Sequence, residues 1–258
     1  MILLVTDFGL NGPYVGQILS VLQQCAAGVP AINLFADAPT YNPKATAYLL
    51  AAYAEAFPEG STFLAVVDPE VGTGKHVPVI IQACERWFVG PDNGLFNVVC
   101  LRSKRPVRCW EIFWRPERVS ASFHGRDLYA PVAACVAQGD LSVARPRARR
   151  EYTEWPPDLW EIVYIDHFGN AVTGIRASEV DPNAILEIRG NFLRKAYTFG
   201  SVSRGDSFWY ENSAGLIEIA ANCERADVKL GLSIGDHITK TKETPGCYSG
   251  DGAPSRWG

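Results

Sequence analysis

Several things are scarce or missing in this sequence, and each absence removes a class of function. Hydrophobic residues make up 47% of the 258 positions, yet no apolar run approaches the ~20 residues that a membrane-spanning helix needs. Positive charge is not in excess: 24 Lys and Arg stand against 28 Asp and Glu, for a net charge of −4, which argues against nucleic acid as the main partner. The seven cysteines are odd in number and form no Cys-x-x-Cys pair, so they read as reduced thiols and not as a disulfide framework or a zinc site. There is no Walker loop and no Gly-x-Gly-x-x-Gly turn. Met1 runs straight into the apolar Ile2-Leu3-Leu4-Val5 with no basic leader, so a cytoplasmic protein is expected.

What is present is an alternation of strand and helix through the first half. Ile2–Val5 reads as a buried strand, and Val15, Ile18, Leu19 and Leu22 follow with helical spacing. Ala31–Phe35 is the next strand, then a helix from Pro43 to Phe57, then a strand from Ser61 to Val67. This β-α-β-α-β order predicts a mostly parallel α/β sheet over residues 1–150, with the carboxyl ends of its strands on one edge. Two more strands, Val77–Gln82 and Trp87–Val89, and a helix Leu128–Ala137 complete that part.

Residues 146–158 combine arginines, three prolines and acidic residues and read as a solvated linker face. Beyond them the texture changes to short strands with Gly, Asn and Asp turns: Glu161–Ile165, Ala184–Ile188, Lys195–Phe199, Asp206–Tyr210, Leu216–Ala220 and Ile234–Thr239. These predict a small antiparallel β-barrel over residues 158–240, followed by a polar, flexible tail at 241–258.

The chemistry is placed at Val66–His76, which begins as a strand and ends as a loop. Asp68-Pro69 stops the ladder, and Gly72 and Gly74 allow a tight backbone before Lys75 and His76. A carboxylate at the carboxyl end of a strand in an open α/β sheet is where ligands bind. The same residue types also make ordinary turns, so the loop alone leaves both readings open. Asp7, Asp92 and Asp127 repeat the pattern, and His124 stands just before a helix. Gathered on one edge they form a polar pocket; kept apart they are caps and turn formers. No spacing among His76, His124, His167 and His237 has metal-ligand logic. In the second half, Asp166-His167-Phe168-Gly169-Asn170 offers an aromatic face and an amide, which together suit a purine, and Asn212-Ser213 is either a hairpin turn or a polar contact.

Taken in order, Thr6-Asp7-Phe8-Gly9, Val67-Asp68-Pro69 with Val71-Gly72-Thr73, Pro91-Asp92-Asn93-Gly94, Phe123-His124-Gly125-Arg126-Asp127, Asp166-His167-Phe168-Gly169-Asn170 and Asn212-Ser213 resemble one family. It is the S-adenosylmethionine hydroxide adenosyltransferases, related to the fluorinase and chlorinase. The resemblance implies a homotrimer with the small-molecule substrate held between subunits, and cleavage of S-adenosylmethionine to adenosine and methionine with neither metal nor cofactor. It implies substrate binding by Asp7, Phe8, Phe123, Asp166, Phe168, Asn170, Asn212 and Ser213. Of these, Asp7 would take the ribose hydroxyls, Phe168 and Asn170 the adenine, and Asp166 the methionine amino group. It implies catalysis by Asp68, Lys75 and His124, with Lys75 where an arginine is usual. Halogenating relatives carry a tyrosine at the Asp68 position, so water is the implied nucleophile. Glu70 stands where the family has a glycine, Gly12 where it has an aspartate, and Gly174 where it has an asparagine. A nucleoside-binding protein without turnover and a metal-dependent hydrolase are the two competing readings.

Overall fold

The computed structural model describes residues 1–241, so the expectation of a flexible tail falls on residues that are, but for Thr241, outside those described. Seven strands form one sheet: β1 (Ile2–Thr6), β2 (Ala31–Phe35), β3 (Thr62–Val66), β4 (Pro78–Ala83), β5 (Arg86–Pro91), β6 (Arg108–Ile112) and β7 (Ala144–Pro146), in the order β2-β1-β3-β5-β4-β6-β7. The run β2-β1-β3-β5 is parallel, and β4, β6 and β7 join antiparallel. The result is a mixed sheet, rich in parallel pairs only where the β-α-β-α-β pattern was legible. The antiparallel half follows from a two-residue hairpin at Cys84-Glu85, whose φ values of 50° and 58° give the doubly left-handed turn that suits strand twist. Neither residue is a usual turn former.

Helix α1 (Tyr14–Cys25) leads from β1 out to β2, and α2 (Pro43–Ala54) leads back across β1 to β3. Asn42 caps α2 by accepting from the Ala45 N–H at 3.0 Å, with Pro43 in the first turn. Helix α1 packs on one face of the sheet with α4 (Ala130–Ala137), and α2 packs on the other with α3 (Asn97–Arg102). The strand order therefore reverses between β1 and β3, which creates a crevice beyond their carboxyl ends.

The later strands are β8 (Leu159–Ile165), β9 (Ala171–Arg176), β10 (Ile185–Ile188), β11 (Asn191–Leu193), β12 (Ser207–Glu211), β13 (Leu216–Ala221) and β14 (Thr239–Thr241). They form antiparallel sheets of order β12-β13-β9-β8 and β11-β10-β14, with a short helix α5 (Ala226–Leu230). Two expectations are corrected. Lys195–Phe199 is not a strand but makes a single bridge from Lys195 to Trp209, and the last strand lies at Thr239–Thr241 instead of Ile234–Thr239, because Asp236 closes a turn on Ser233. Strands β6, β7, β9 and β11 went unread.

The 146–158 segment is not a free linker face. Tyr48 donates its hydroxyl to the Pro156 carbonyl at 2.6 Å, Tyr152 donates to the Asp92 carbonyl at 2.8 Å, and Arg147 pairs with Asp92 at 3.6 Å. Leu159, Val163, Val172 and Leu216 share one apolar cluster with Tyr48, Leu49 and Ala52 of α2. The two halves are thus packed along a common core.

Candidate active site

Thr6 of β1 is in register with Val66 of β3, so the chain leaves the sheet at two adjacent points and delivers Asp7 and Asp68 to the same crevice. Both line a cavity of about 530 Å³ together with Phe8, Phe123 and His124. Asp7 accepts the Tyr41 N–H at 2.9 Å, and burial raises its carboxyl above the usual range against that hydrogen bond. Asp68 accepts the Glu70 N–H at 3.1 Å, which fixes the start of the loop. The loop lies against the segment leading to His124: Gly72, with φ +81°, leaves no room for a Cβ beside the Ala121 carbonyl.

His124 precedes a π-helical turn, Gly125–Tyr129, that runs into α4. Such turns re-aim a side chain at the cost of regular bonding. The segment is tied down from behind. Arg126 donates to Asp127 at 2.5 Å and to Gln17 at 2.7 Å, and Asp127 accepts the Ser120 N–H at 2.7 Å. The Arg126 guanidinium holds the Asp127 carboxyl below its usual range. Phe8, Tyr14 and Phe123 meet edge to face with centroids 5.3 to 6.2 Å apart, giving the cavity an apolar wall.

Asp166, Phe168, Asn170, Asn212 and Ser213 are in a different cavity of about 850 Å³ in the second half. No residue lines both. Asp166 accepts the Asn170 backbone N–H at 2.8 Å and its side-chain amide at 3.1 Å, so the turn is rigid while Phe168 at its tip is 72% exposed. Asn212 spends its amide within the chain: the oxygen accepts from Ala214 and Leu216, and the nitrogen donates to Glu218 at 2.9 Å. Glu218, only 6% exposed, also accepts from the Tyr210 hydroxyl at 2.5 Å, and burial raises its carboxyl above the usual range.

Sequence reasoning missed Glu218, Tyr14 and Tyr41. A lone acid within the apolar run Leu216–Ala221 was the available signal for Glu218. The gathering of acidic turns is half as large as expected: Asp92 faces Arg147 instead, and Asp127 faces Arg126. Lys75 lines neither cavity. It is exposed and pairs with Glu70 at 2.6 Å, while the other Glu70 oxygen meets His76 at 2.6 Å.

The family models for the SAM hydroxide adenosyltransferase N-terminal and C-terminal domains match residues 2–145 and 160–239. The chain belongs to this family. Its relatives include a Thermus thermophilus protein named (R)-S-adenosyl-L-methionine hydrolase, 36% identical over 90% of this chain and 95% of that one. A Salinispora tropica protein of the same name is 32% identical over 92% of this chain and 95% of its own. Among solved structures, an uncharacterized conserved protein from Thermotoga maritima aligns with a TM-score of 0.81 at 28% identity, covering 92% of this chain and 98% of that one. A conserved hypothetical protein from Thermus thermophilus aligns with a TM-score of 0.74 at 30% identity, covering 93% and 99%. In this hydroxide adenosyltransferase, the 530 Å³ cavity is lined from the first matched domain alone, and the 850 Å³ cavity from the second together with Tyr53 of the first.

Proposed function

We propose that this enzyme hydrolyses S-adenosyl-L-methionine to adenosine and methionine by attack of water at C5′. The observation that carries this reading is the meeting of Asp68 and His124 in one cavity with Asp7 and the Phe8–Tyr14–Phe123 wall. Asp7 binds the ribose hydroxyls and the aromatic wall excludes water from the reacting carbon. Asp68 and His124 orient the nucleophile and accept its proton. Attack on a sulfonium turns a cation into a neutral thioether, so a dry site favours it. Lys75 stands at the edge of the loop with its charge balanced by Glu70.

Asp166, Phe168, Asn170, Asn212 and Ser213 form the other half of the site, with Phe168 and Asn170 at the adenine. Because they line a cavity of their own, the reading joins the second-half cavity of one subunit to the first-half cavity of its neighbour in a cytoplasmic homotrimer. Within each subunit the antiparallel sheets close into a barrel. Water, not halide, is the nucleophile, and no metal or cofactor takes part.

The test is a turnover assay on purified protein with S-adenosylmethionine, with and without chelator and chloride. Adenosine and methionine should form at equal rates in all arms. Loss of activity to chelator, restored by Mg²⁺ or Mn²⁺, would point to a metal-dependent hydrolase instead. The engagement of Lys75 by Glu70 favours a second reading, a nucleoside-binding protein without turnover, which calorimetric adenosine binding in the absence of any product would support.

A further inference from the structure

Asp68 and His124 line two cavities. Besides the 530 Å³ space that holds Asp7, they border a second space of about 330 Å³ on their other side, and no other residue is common to the two. The second space is lined further by Glu70, His76, Glu111, Arg115 and Tyr129. It is polar where the first is aromatic, and it reaches the outside through the loop that departs from the family pattern.

The reaction proposed above has a proton to dispose of. As the O–C5′ bond forms, the C5′–S bond breaks with both electrons staying on sulfur, and one water proton is left over for every cation consumed. Substrate plugs the front cavity during that step, so neither the incoming water nor the outgoing proton can use it. The residues behind Asp68 and His124 supply a route. His76 is 12% exposed, and its Nδ1 is buried with no hydrogen-bond partner among the described residues; its Nε2 is 2.6 Å from Glu70, which is 34% exposed and in turn 2.6 Å from the 64% exposed Lys75. The path runs from a buried imidazole nitrogen to bulk water in two hydrogen bonds.

We infer that the space behind Asp68 and His124 is the water-entry and proton-exit chamber of the hydrolase, with His76 and Glu70 as its relay to solvent. The inference rests on the hydrolase reading. The proton taken from the attacking water by Asp68 or His124 crosses the chamber to His76 Nδ1 as the Nε2 proton passes to Glu70 and then to solvent. His76 and Glu70 touch neither substrate nor reacting atoms and are positioning and relay residues. The charged and titratable groups that bias His76 are Glu70 and Lys75 on its own loop, and Asp92 with its Arg147 from the turn after β5. Across the chamber stand Asp68, His124, Glu111, Arg115 and Tyr129.

Glu70→Gln and His76→Ala test this in the full-length enzyme. Both should lower kcat by about tenfold, less than the ~10² to 10⁴ of a group that takes the proton in the transition state itself, with KM and adenosine affinity within about twofold of wild type. The solvent deuterium isotope effect on kcat should rise, and the double variant should be no slower than the worse single one. Added imidazole should restore kcat in His76→Ala, which a purely structural role would not allow. If His76→Ala fails to bind adenosine and so has not folded, His76→Gln carries the same kcat and isotope readouts. Wild-type turnover with variant kcat, isotope effect and pH profile unchanged, or a loss that imidazole does not relieve, overturns the relay alone. A wild-type enzyme that forms no adenosine overturns the hydrolase reading first and the relay with it.

Discussion

Lys75 Nζ is 2.6 Å from Glu70 Oε1, an ion pair made by two residues that stand where the family resemblance implies an arginine and a glycine. One departure answers the other: the added carboxylate takes the cation, and the Lys75 ammonium, with His76 adding to it, holds the Glu70 carboxyl below its usual range. Lysine offers a point charge where arginine offers a planar fork, and the Glu70 carboxylate balances it, so the pair keeps neither the net charge nor the geometry implied for the family's loop.

Replacing Lys75 with Met should therefore let the Glu70 carboxyl rise toward its ordinary value of 4.5. In the relay this moves the acid-side loss of kcat to higher pH, while Lys75→Arg leaves it in place. The kcat–pH profile is the measurement. The melting temperature should hardly move, since exposed ion pairs contribute little to stability.

Asp68→Asn should cut kcat by about 10² to 10⁴, the range for loss of a general base, and leave adenosine affinity near wild type. Calorimetry beside a product assay separates the two. Equal loss of binding and turnover would make Asp68 a ligand for the nucleoside and not for water.

Phe168 stands 72% exposed at a turn tip, which costs the isolated fold little to change. Phe168→Ala should weaken adenosine binding by about 1 kcal/mol, the usual worth of an aromatic stacking contact, without lowering the melting temperature.

The Glu218 carboxyl is raised above its ordinary 4.5 by burial. Its charged form thus opposes folding, and the penalty is absent below the unfolded pKa and complete above the folded one. Compared by calorimetry, the melting-temperature difference between Glu218→Gln and wild type should move in favour of Gln as pH rises through that window. At neutral pH the same substitution removes a buried negative charge from the second-half cavity, so the KM for cationic S-adenosylmethionine should rise by about tenfold, equivalent to ~1.4 kcal/mol, with neutral adenosine much less affected.

Mixing Asp68→Asn with a Phe168→Ala, Asn170→Ala double variant, each impaired alone, should restore part of the lost activity after co-refolding. A site shared between subunits recombines an intact first-half cavity with an intact second-half cavity; a site within one chain recovers nothing.

The sequence by itself determined the architecture of the first three strands and two helices, because alternating apolar strands and a proline-started alanine helix leave little freedom in pairing. It also determined the residue types of the site, since strand-end carboxylates and an aromatic-amide turn are local signals. Tertiary structure alone decided which of them meet. Asp7 and Asp68 converge because β1 and β3 pair in register across the switch point, whereas Asp92 and Asp127, the same signal in sequence, are neutralised by Arg147 and Arg126. The antiparallel half of the sheet rests on a left-handed Cys84-Glu85 turn that no propensity announces. The Glu70 contacts, and the chamber behind Asp68 and His124, exist only where the loop folds back on itself and packs against Ala121. Local patterns name candidates; long-range packing, which no short stretch encodes, chooses among them.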